Sequence, residues 1–369
     1  MGKETFTGDV AFEVRGHLGI ITLNRPKALN SLTGLMCESI RVQLADWADD
    51  DAVAQVVIRG AGDRGLCAGG DVASVYWEMV EKQPQDGGMP LPGGVPGYQA
   101  DFRAEAFFAS EYAMNHYIAT YAKPFIALMD GVVLGGGVGV SAHGSHRIVT
   151  ERSRIGMPET TIGFCPDVGG TYLLGRAPGE LGVHAGVTGV HLSGADAIHL
   201  GLADVFIGSE SIDDLIQALT GEHVDKVLPA LVREPERSGL QDADWVNQAY
   251  SQDNPVAVVH ALEEIGQRVP EAAEAARTLR TKSPTMVHVA FRAIRAAREM
   301  PLEEALSQEY TIAVHALRSH DFREGIRAQL IDKDRSPSWQ PDTLEGVSAE
   351  LVDRYFSPVE SRELSFSRA

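Results

Sequence analysis

The 369-residue sequence is poor in cysteine, in positive charge and in long apolar runs. Its three cysteines, Cys37, Cys67 and Cys165, are odd in number and far apart. That excludes a disulfide framework or a zinc-ligand spacing, and points to a reducing compartment. Lys and Arg total 32 against 51 Asp and Glu, a net charge of −19. So acidic a surface argues against nucleic acid and anionic lipid as general partners. An anionic small molecule would need a local basic or backbone-amide site. The longest apolar candidate, Pro124 to Ala142, carries Asp130 and five glycines, which suits a buried segment better than a membrane span. Met1 to Val10 shows no basic region followed by an apolar one, so the expected location is the cytoplasm.

What is present is an ordinary globular mixture, 44% hydrophobic and 22% charged, so a packed core is expected rather than disorder. Ala11–Val14 and Leu18–Leu23, on either side of Gly16, read as a β-hairpin. Met36, Ile40, Leu44 and Trp47 form one apolar helical stripe. Val53–Ile58 reads as a buried strand, and the alternation continues through Phe125–Met129 and Arg147–Val149. The fold class is therefore α/β over residues 1–210, with a helical region over 211–369. In the latter, Ser283-Pro284 marks a helix start before Met286, Val287, Ala290, Phe291 and Ile294. A second stripe runs through Leu302, Leu306, Tyr310, Ala313 and Leu317. The proline- and glycine-rich stretch 82–98 reads as a surface insertion, since the α/β pattern resumes beyond it.

Two glycine clusters follow strands, Cys67-Ala68-Gly69-Gly70-Asp71 and Gly135-Gly136-Gly137-Val138-Gly139. Glycine at a strand-to-helix turn lets backbone approach a ligand, and the helix start offers unused N–H groups. Two such amides aimed at one point would make an oxyanion hole; tight packing alone is the plainer alternative. Neither cluster spells a dinucleotide or phosphate-loop motif. Nor is there a nucleophile elbow around Ser141. His143 and His146 lack further ligands, so no metal is expected.

Asn24-Arg25-Pro26-Lys27-Ala28-Leu29-Asn30, the two glycine clusters and Met157-Pro158-Glu159, in this order, resemble the crotonase (enoyl-CoA hydratase/isomerase) superfamily. The segments from Met157 to Gly170 and from Ser319 to Arg327, continuing to Trp339, resemble more narrowly the 3-hydroxyisobutyryl-CoA hydrolases. The resemblance implies a spiral of ββα units followed by a helical C-terminal region, and an acyl-CoA partner. Trimers or paired trimers are common among such proteins. It implies no cofactor, coenzyme A being part of the substrate. Matched position by position, the oxyanion amides fall on Gly70 and Gly136. The coenzyme A contacts fall on Lys27, Ala28, Leu29 and backbone from Ala68 through Gly69 and Asp71 to Val72. Lys27, with Arg25, would meet the phosphates.

Hydratases of this superfamily use two carboxyl groups, and the first of these falls here on Gly139, which has no side chain. The second is retained as Glu159, and a new acid stands at Asp167. Thioester hydrolysis needs an oxyanion hole and one group that attacks the carbonyl carbon or activates water. Glu159 is the candidate for that role, with Asp167 accepting a hydrogen bond from a substrate 3-hydroxyl. Glu111 matches a substrate-site position. The plainer alternatives are a strand-end salt bridge for Glu159, a helix N-cap for Asp167 and an exposed helix residue for Glu111. The expected activity is hydrolysis of 3-hydroxyisobutyryl-CoA, as in valine breakdown. The alternatives are an enoyl-CoA hydratase or isomerase, and a non-catalytic acyl-CoA-binding protein.

Overall fold

The computed structural model describes residues 4–82, 103–358 and 364–366. Apart from Lys82, the 82–98 stretch lies outside the described residues. The hairpin expected around Gly16 forms from β2 (Val10–Arg15) and β3 (Leu18–Leu23), with β1 (Glu4–Thr7) on its outer edge. Beyond β3 the pairing turns parallel through β4 (Gln55–Gly60), β5 (Phe125–Met129), β7 (His146–Val149) and β9 (Val205–Phe206). Strand β4 starts two residues later than the apolar run suggests, because the Val53 amide closes a turn onto the Asp50 carbonyl.

A second, two-stranded sheet pairs β6 (Val132–Leu134) with β8 (Arg154–Gly156). Strands β5 and β7 lie in the large sheet, and the strand following each lies in the small one. The chain therefore winds as a spiral, one strand per layer per turn. Single bridges Cys67↔Val133 and Leu32↔Gly70 extend the inner layer towards the first glycine cluster.

Helix α1 (Gly34–Ala48) begins at Thr33, whose hydroxyl caps the Met36 amide, and buries the predicted stripe of Met36, Ile40, Leu44 and Trp47. Helices α2 (Val72–Glu81) and α3 (Arg103–Ala119) follow, then the short α4 (Gly136–Gly139) and α5 (Gly170–Gly175). The second half is helical as expected. Ser283 caps the Pro284–Ala296 helix, and the Leu302–Ala316 helix buries Leu306, Tyr310 and Ala313. The change of composition near residue 210 does not divide the core. One buried apolar cluster runs from Val10 to Tyr355 and includes residues of both regions. The helical region is thus packed directly on the α/β part, and this lets it reach the cavity described next.

Candidate active site

The two glycine clusters meet in space, and each leaves an amide unused for a local reason. The parallel bridge between Leu32 and Gly70 is made by the neighbours of Gly70: Leu32 donates to the Gly69 carbonyl and Asp71 to the Leu32 carbonyl. The Gly70 N–H therefore faces away from that bridge. Gly136 is the first residue of α4, where an N–H has no intrahelical acceptor. Gly135 before it has φ 51° and ψ −119°, a conformation only glycine adopts readily. A Cβ placed on Gly136 would sit 3.2 Å from the Gly70 nitrogen and 2.5 Å from Glu111 Oε1. The two turns, and a carboxyl group, thus approach too closely for any side chain at 136.

Glu159 enters from the other side. It opens the 3-10 turn Glu159–Ile162 just after β8, and its Oε1 would lie 2.5 Å from a Cβ on Gly135. Glu159 is 7% exposed, Glu111 2% and Asp167 6%, and all three line one cavity of about 450 Å³ with both amide-bearing glycines. The alternatives of a salt-bridged Glu159 and an exposed Glu111 do not hold: among the described residues neither carboxyl has a cationic partner. Asp167 is not the cap of α5, because the N-cap position is Gly169. Its Oδ2 instead accepts from the Tyr112 hydroxyl at 2.8 Å.

The same cavity is lined by Ala28, Leu29, Ala68, Gly69, Asp71 and Val72. Lys27 is exposed beside them and does not line it. Arg25 corrects an expectation. Its guanidinium is tied to Asp71 at 2.9 Å and donates to the Ser31 carbonyl at 2.7 Å, so its charge is already balanced. Phe108 and Phe164, stacked at 5.5 Å, form an apolar wall, with Phe322 behind Phe164 at 4.5 Å. Gln329 and Leu330 complete the rim from a π-helical turn, Arg327–Ile331. That turn is held by Arg327, which pairs with Glu324, Asp332 and Asp334. The sequence carries no local signal for these last two lining residues, since π turns have no distinctive periodicity.

Electrostatics follow from burial. Removal from water pushes the Glu159 and Glu111 carboxyls well above the usual range, and the nearby Asp167 raises both further. Asp167 is itself pushed up to about 7 by burial, against the pull of the Tyr112 hydrogen bond. Asp167 therefore ionises at a pH where an ordinary carboxyl is long since charged. Burial likewise pushes the Cys67 thiol up to about 12 and raises Cys165, so neither is a thiolate nucleophile near neutral pH.

Position 139 has no room for a side chain. A Cβ on Gly139 would meet Val168 Cβ at 2.5 Å and the Asn115 amide nitrogen at 2.9 Å. Val168 fills the space that a side chain at 139 would need. Among the described residues, no group of three or more His, Cys, Asp or Glu could hold a metal ion, and no helix is long and apolar enough to cross a membrane.

The enoyl-CoA hydratase/isomerase family matches residues 18–356. The chain belongs to that family. Within it, the chain is 38% identical to the "3-hydroxyisobutyryl-CoA hydrolase, mitochondrial" of Danio rerio, over 96% of this chain and 91% of that protein. The protein of the same name from Homo sapiens is 35% identical over 99% of this chain and 93% of its own length. A crystal structure named as a carnitinyl-CoA dehydratase, from Mycobacterium thermoresistibile, superposes with a TM-score of 0.88 at 43% identity, covering 98% of this chain and 99% of that one. The crotonase-type spiral with a helical C-terminal region is thus the fold of this family member, as its sequence motifs imply.

Proposed function

We propose that this protein hydrolyses 3-hydroxyisobutyryl-CoA to 3-hydroxyisobutyrate and free coenzyme A. The observation that carries the reading is the crowding at Gly139, together with three carboxyls and two free amides on one cavity. A site with its first hydratase acid replaced by packed Val168 retains what thioester hydrolysis needs. The similarity to proteins named as 3-hydroxyisobutyryl-CoA hydrolases supports the substrate.

The thioester carbonyl oxygen accepts from the Gly70 and Gly136 amides, which hold the charge that develops on it. Glu159 either takes a proton from water as the water oxygen bonds to the carbonyl carbon, or bonds to that carbon itself before water releases the acid. By both routes the carbon–sulfur bond breaks and the thiolate takes up the proton released from water. Asp167, fixed by Tyr112, accepts from the 3-hydroxyl, and Glu111 flanks the acyl group beside Gly136. Leu29, Ala28 and the backbone from Ala68 to Val72 border the thioester arm, with Lys27 outside for phosphate. A substrate lacking the 3-hydroxyl leaves Asp167 buried without that partner, which disfavours it by about 10⁴-fold where the hydroxyl is fully bonded. Three free, buried cysteines suit a reducing compartment such as the cytoplasm.

The dehydratase named above supports a second reading, reversible hydration with Glu159 as the only acid. Thiol release from 3-hydroxyisobutyryl-CoA, measured beside loss of enoyl absorbance from crotonyl-CoA, separates the two. Hydrolysis predicts the first signal, and Glu159→Ala abolishes it while coenzyme A affinity stays within a few-fold. Enoyl loss without thiol release overturns the proposal.

A further inference from the structure

Between Pro166 and Thr171 the chain makes a turn in which the Gly170 amide donates to the Asp167 carbonyl at 2.6 Å, while the Gly169 and Thr171 amides find no local acceptor. Val168 has φ 57° and Gly169 φ 79°, two left-handed residues in succession. For a β-branched residue that conformation is strained. The helix that follows starts without a local cap, because the N-cap residue, Gly169, has no side chain. An aspartate two residues ahead of such amides ordinarily folds back onto them. Here Asp167 does not; it points into the cavity and bonds Tyr112.

The amides are instead satisfied from the other end of the chain. Glu309 Oε2 accepts from the Gly169 nitrogen at 2.7 Å, and Oε1 accepts from the Thr171 nitrogen at 2.8 Å and from the Thr171 hydroxyl at 2.5 Å. Glu309 is 1% exposed and stands on the Leu302–Ala316 helix. Tyr310, its neighbour, packs edge-on against Tyr112 at 6.2 Å. His143 Nε2 completes the clamp, donating to the Val168 carbonyl at 2.8 Å. Burial holds His143 near neutral form, its pKa pushed down to about 4, so the ring can keep that one proton at Nε2.

We infer that Glu309 is a positioning residue: by capping the Gly169 and Thr171 amides from the C-terminal helical region, it frees Asp167 to face the acyl pocket. The inference rests on the reading of Asp167 as the partner of the substrate hydroxyl. Its physical content is a division of labour between two carboxyls. One satisfies the helix start, and the other is thereby available to substrate.

Glu309→Ala and Glu309→Gln test it, each assayed for thiol release from 3-hydroxyisobutyryl-CoA and from isobutyryl-CoA, with crystal structures and thermal melts. Glu309→Ala is expected to lower kcat/KM on the hydroxylated thioester by about tenfold or more, with the plain thioester changed by only about threefold. In its crystals the Asp167 carboxyl is expected on the Gly169 amide that Glu309 no longer caps, away from Tyr112. Glu309→Gln keeps an acceptor for Thr171 and is expected to restore much of the hydroxyl preference. Equal losses on both thioesters, or Asp167 unmoved in Glu309→Ala crystals, overturn the inference and leave Glu309 a residue of stability alone. If wild-type protein releases thiol from neither substrate, the hydrolase reading falls, while the crystals still decide whether Glu309 sets the position of Asp167. Should Glu309→Ala fail to fold, Glu309→Met, which fills the same space without an acceptor, carries both measurements: a displaced Asp167 and a lowered hydroxyl preference support the inference, and an unmoved Asp167 or equal losses on both thioesters overturn it.

Discussion

The Tyr112 hydroxyl donates to Asp167 Oδ2 at 2.8 Å across a buried contact between α3 and the turn before α5. A hydrogen bond to an ionised group favours that form, so Tyr112 lowers the pKa of a carboxyl that burial raises. Tyr112→Phe removes the donor and keeps the ring. The expected outcome is a kcat/KM about tenfold lower on 3-hydroxyisobutyryl-CoA, equal to roughly 1.4 kcal/mol of transition-state stabilisation. The plain isobutyryl thioester should change far less. Steady-state kinetics on the two substrates check this, and an equal change on both would place Tyr112 outside hydroxyl recognition.

Asp167 also acts on Glu159 through charge. Burial is the larger reason that the Glu159 carboxyl sits well above its ordinary range, and the negative charge of Asp167 is the second. As base or nucleophile Glu159 must be ionised, so kcat/KM should rise with pH along a limb well above that of an ordinary carboxyl, about 4.3. Asp167→Asn removes the neighbouring charge and so favours ionisation of Glu159. The limb measured with a plain acyl-CoA should move to lower pH. A limb that stays in place, or moves up, would mean that the two carboxyls do not share a field.

Much of this arrangement is legible in the residues, for reasons that can be named. The α1 stripe repeats with the helical period, so Met36, Ile40, Leu44 and Trp47 announce a buried face. Ser283-Pro284 announces a helix start because both residue types solve the same problem of unused amides. The glycine clusters and Glu159 are legible as motifs, and the structure gathers them around one cavity. Glu309 is not legible: it reads as one more glutamate in a helix, and its partners lie 138 and 140 residues away. Arg25 misleads in the opposite direction. It stands in a motif suited to phosphate, yet its charge is spent on Asp71, a contact 46 residues distant that no local pattern encodes. The two-residue β9 is too short for any alternation to show.

Gly139 offers a test of the hydrolase reading by gain rather than loss. A Cβ there meets Val168 at 2.5 Å and Asn115 at 2.9 Å, and Val168 sits in a strained left-handed turn pinned by His143 and Glu309. Gly139→Glu should therefore destabilise the protein by about 1–3 kcal/mol from overpacking. It should not confer hydration of crotonyl-CoA. The double variant Gly139→Glu, Val168→Gly removes the Cβ that makes the nearest clash, at a position whose φ of 57° suits glycine, and should recover part of the lost Tm. Enoyl hydration appearing in the single variant would show that the pocket already accommodates a second acid.

The buried carboxyls also set how stability depends on pH. Glu309, pushed up to about 8, and Asp167, pushed up to about 7, hold protons in the folded state at pH values where the unfolded chain has lost them. The folded state therefore binds more protons between the two pKa values, and stability falls as pH rises through that window. The contribution is fully present below the unfolded carboxyl pKa, about 4.3, and is lost as pH passes the folded value. His143 and His184, each pushed down to about 4 by burial, act oppositely, losing stability as pH falls below their unfolded value. Above pH 7 they are almost wholly neutral in both states; the buried thiols, also pushed up, add to the decline towards pH 9, so the share of Glu309 is read from the difference between wild type and Glu309→Gln. Thermal melts between about pH 7 and 9 should show Tm declining with pH in the wild type. Glu309→Gln, which cannot titrate, should start lower but decline less steeply. Parallel slopes in the two proteins would mean that Glu309 is already ionised in the folded state at pH 7.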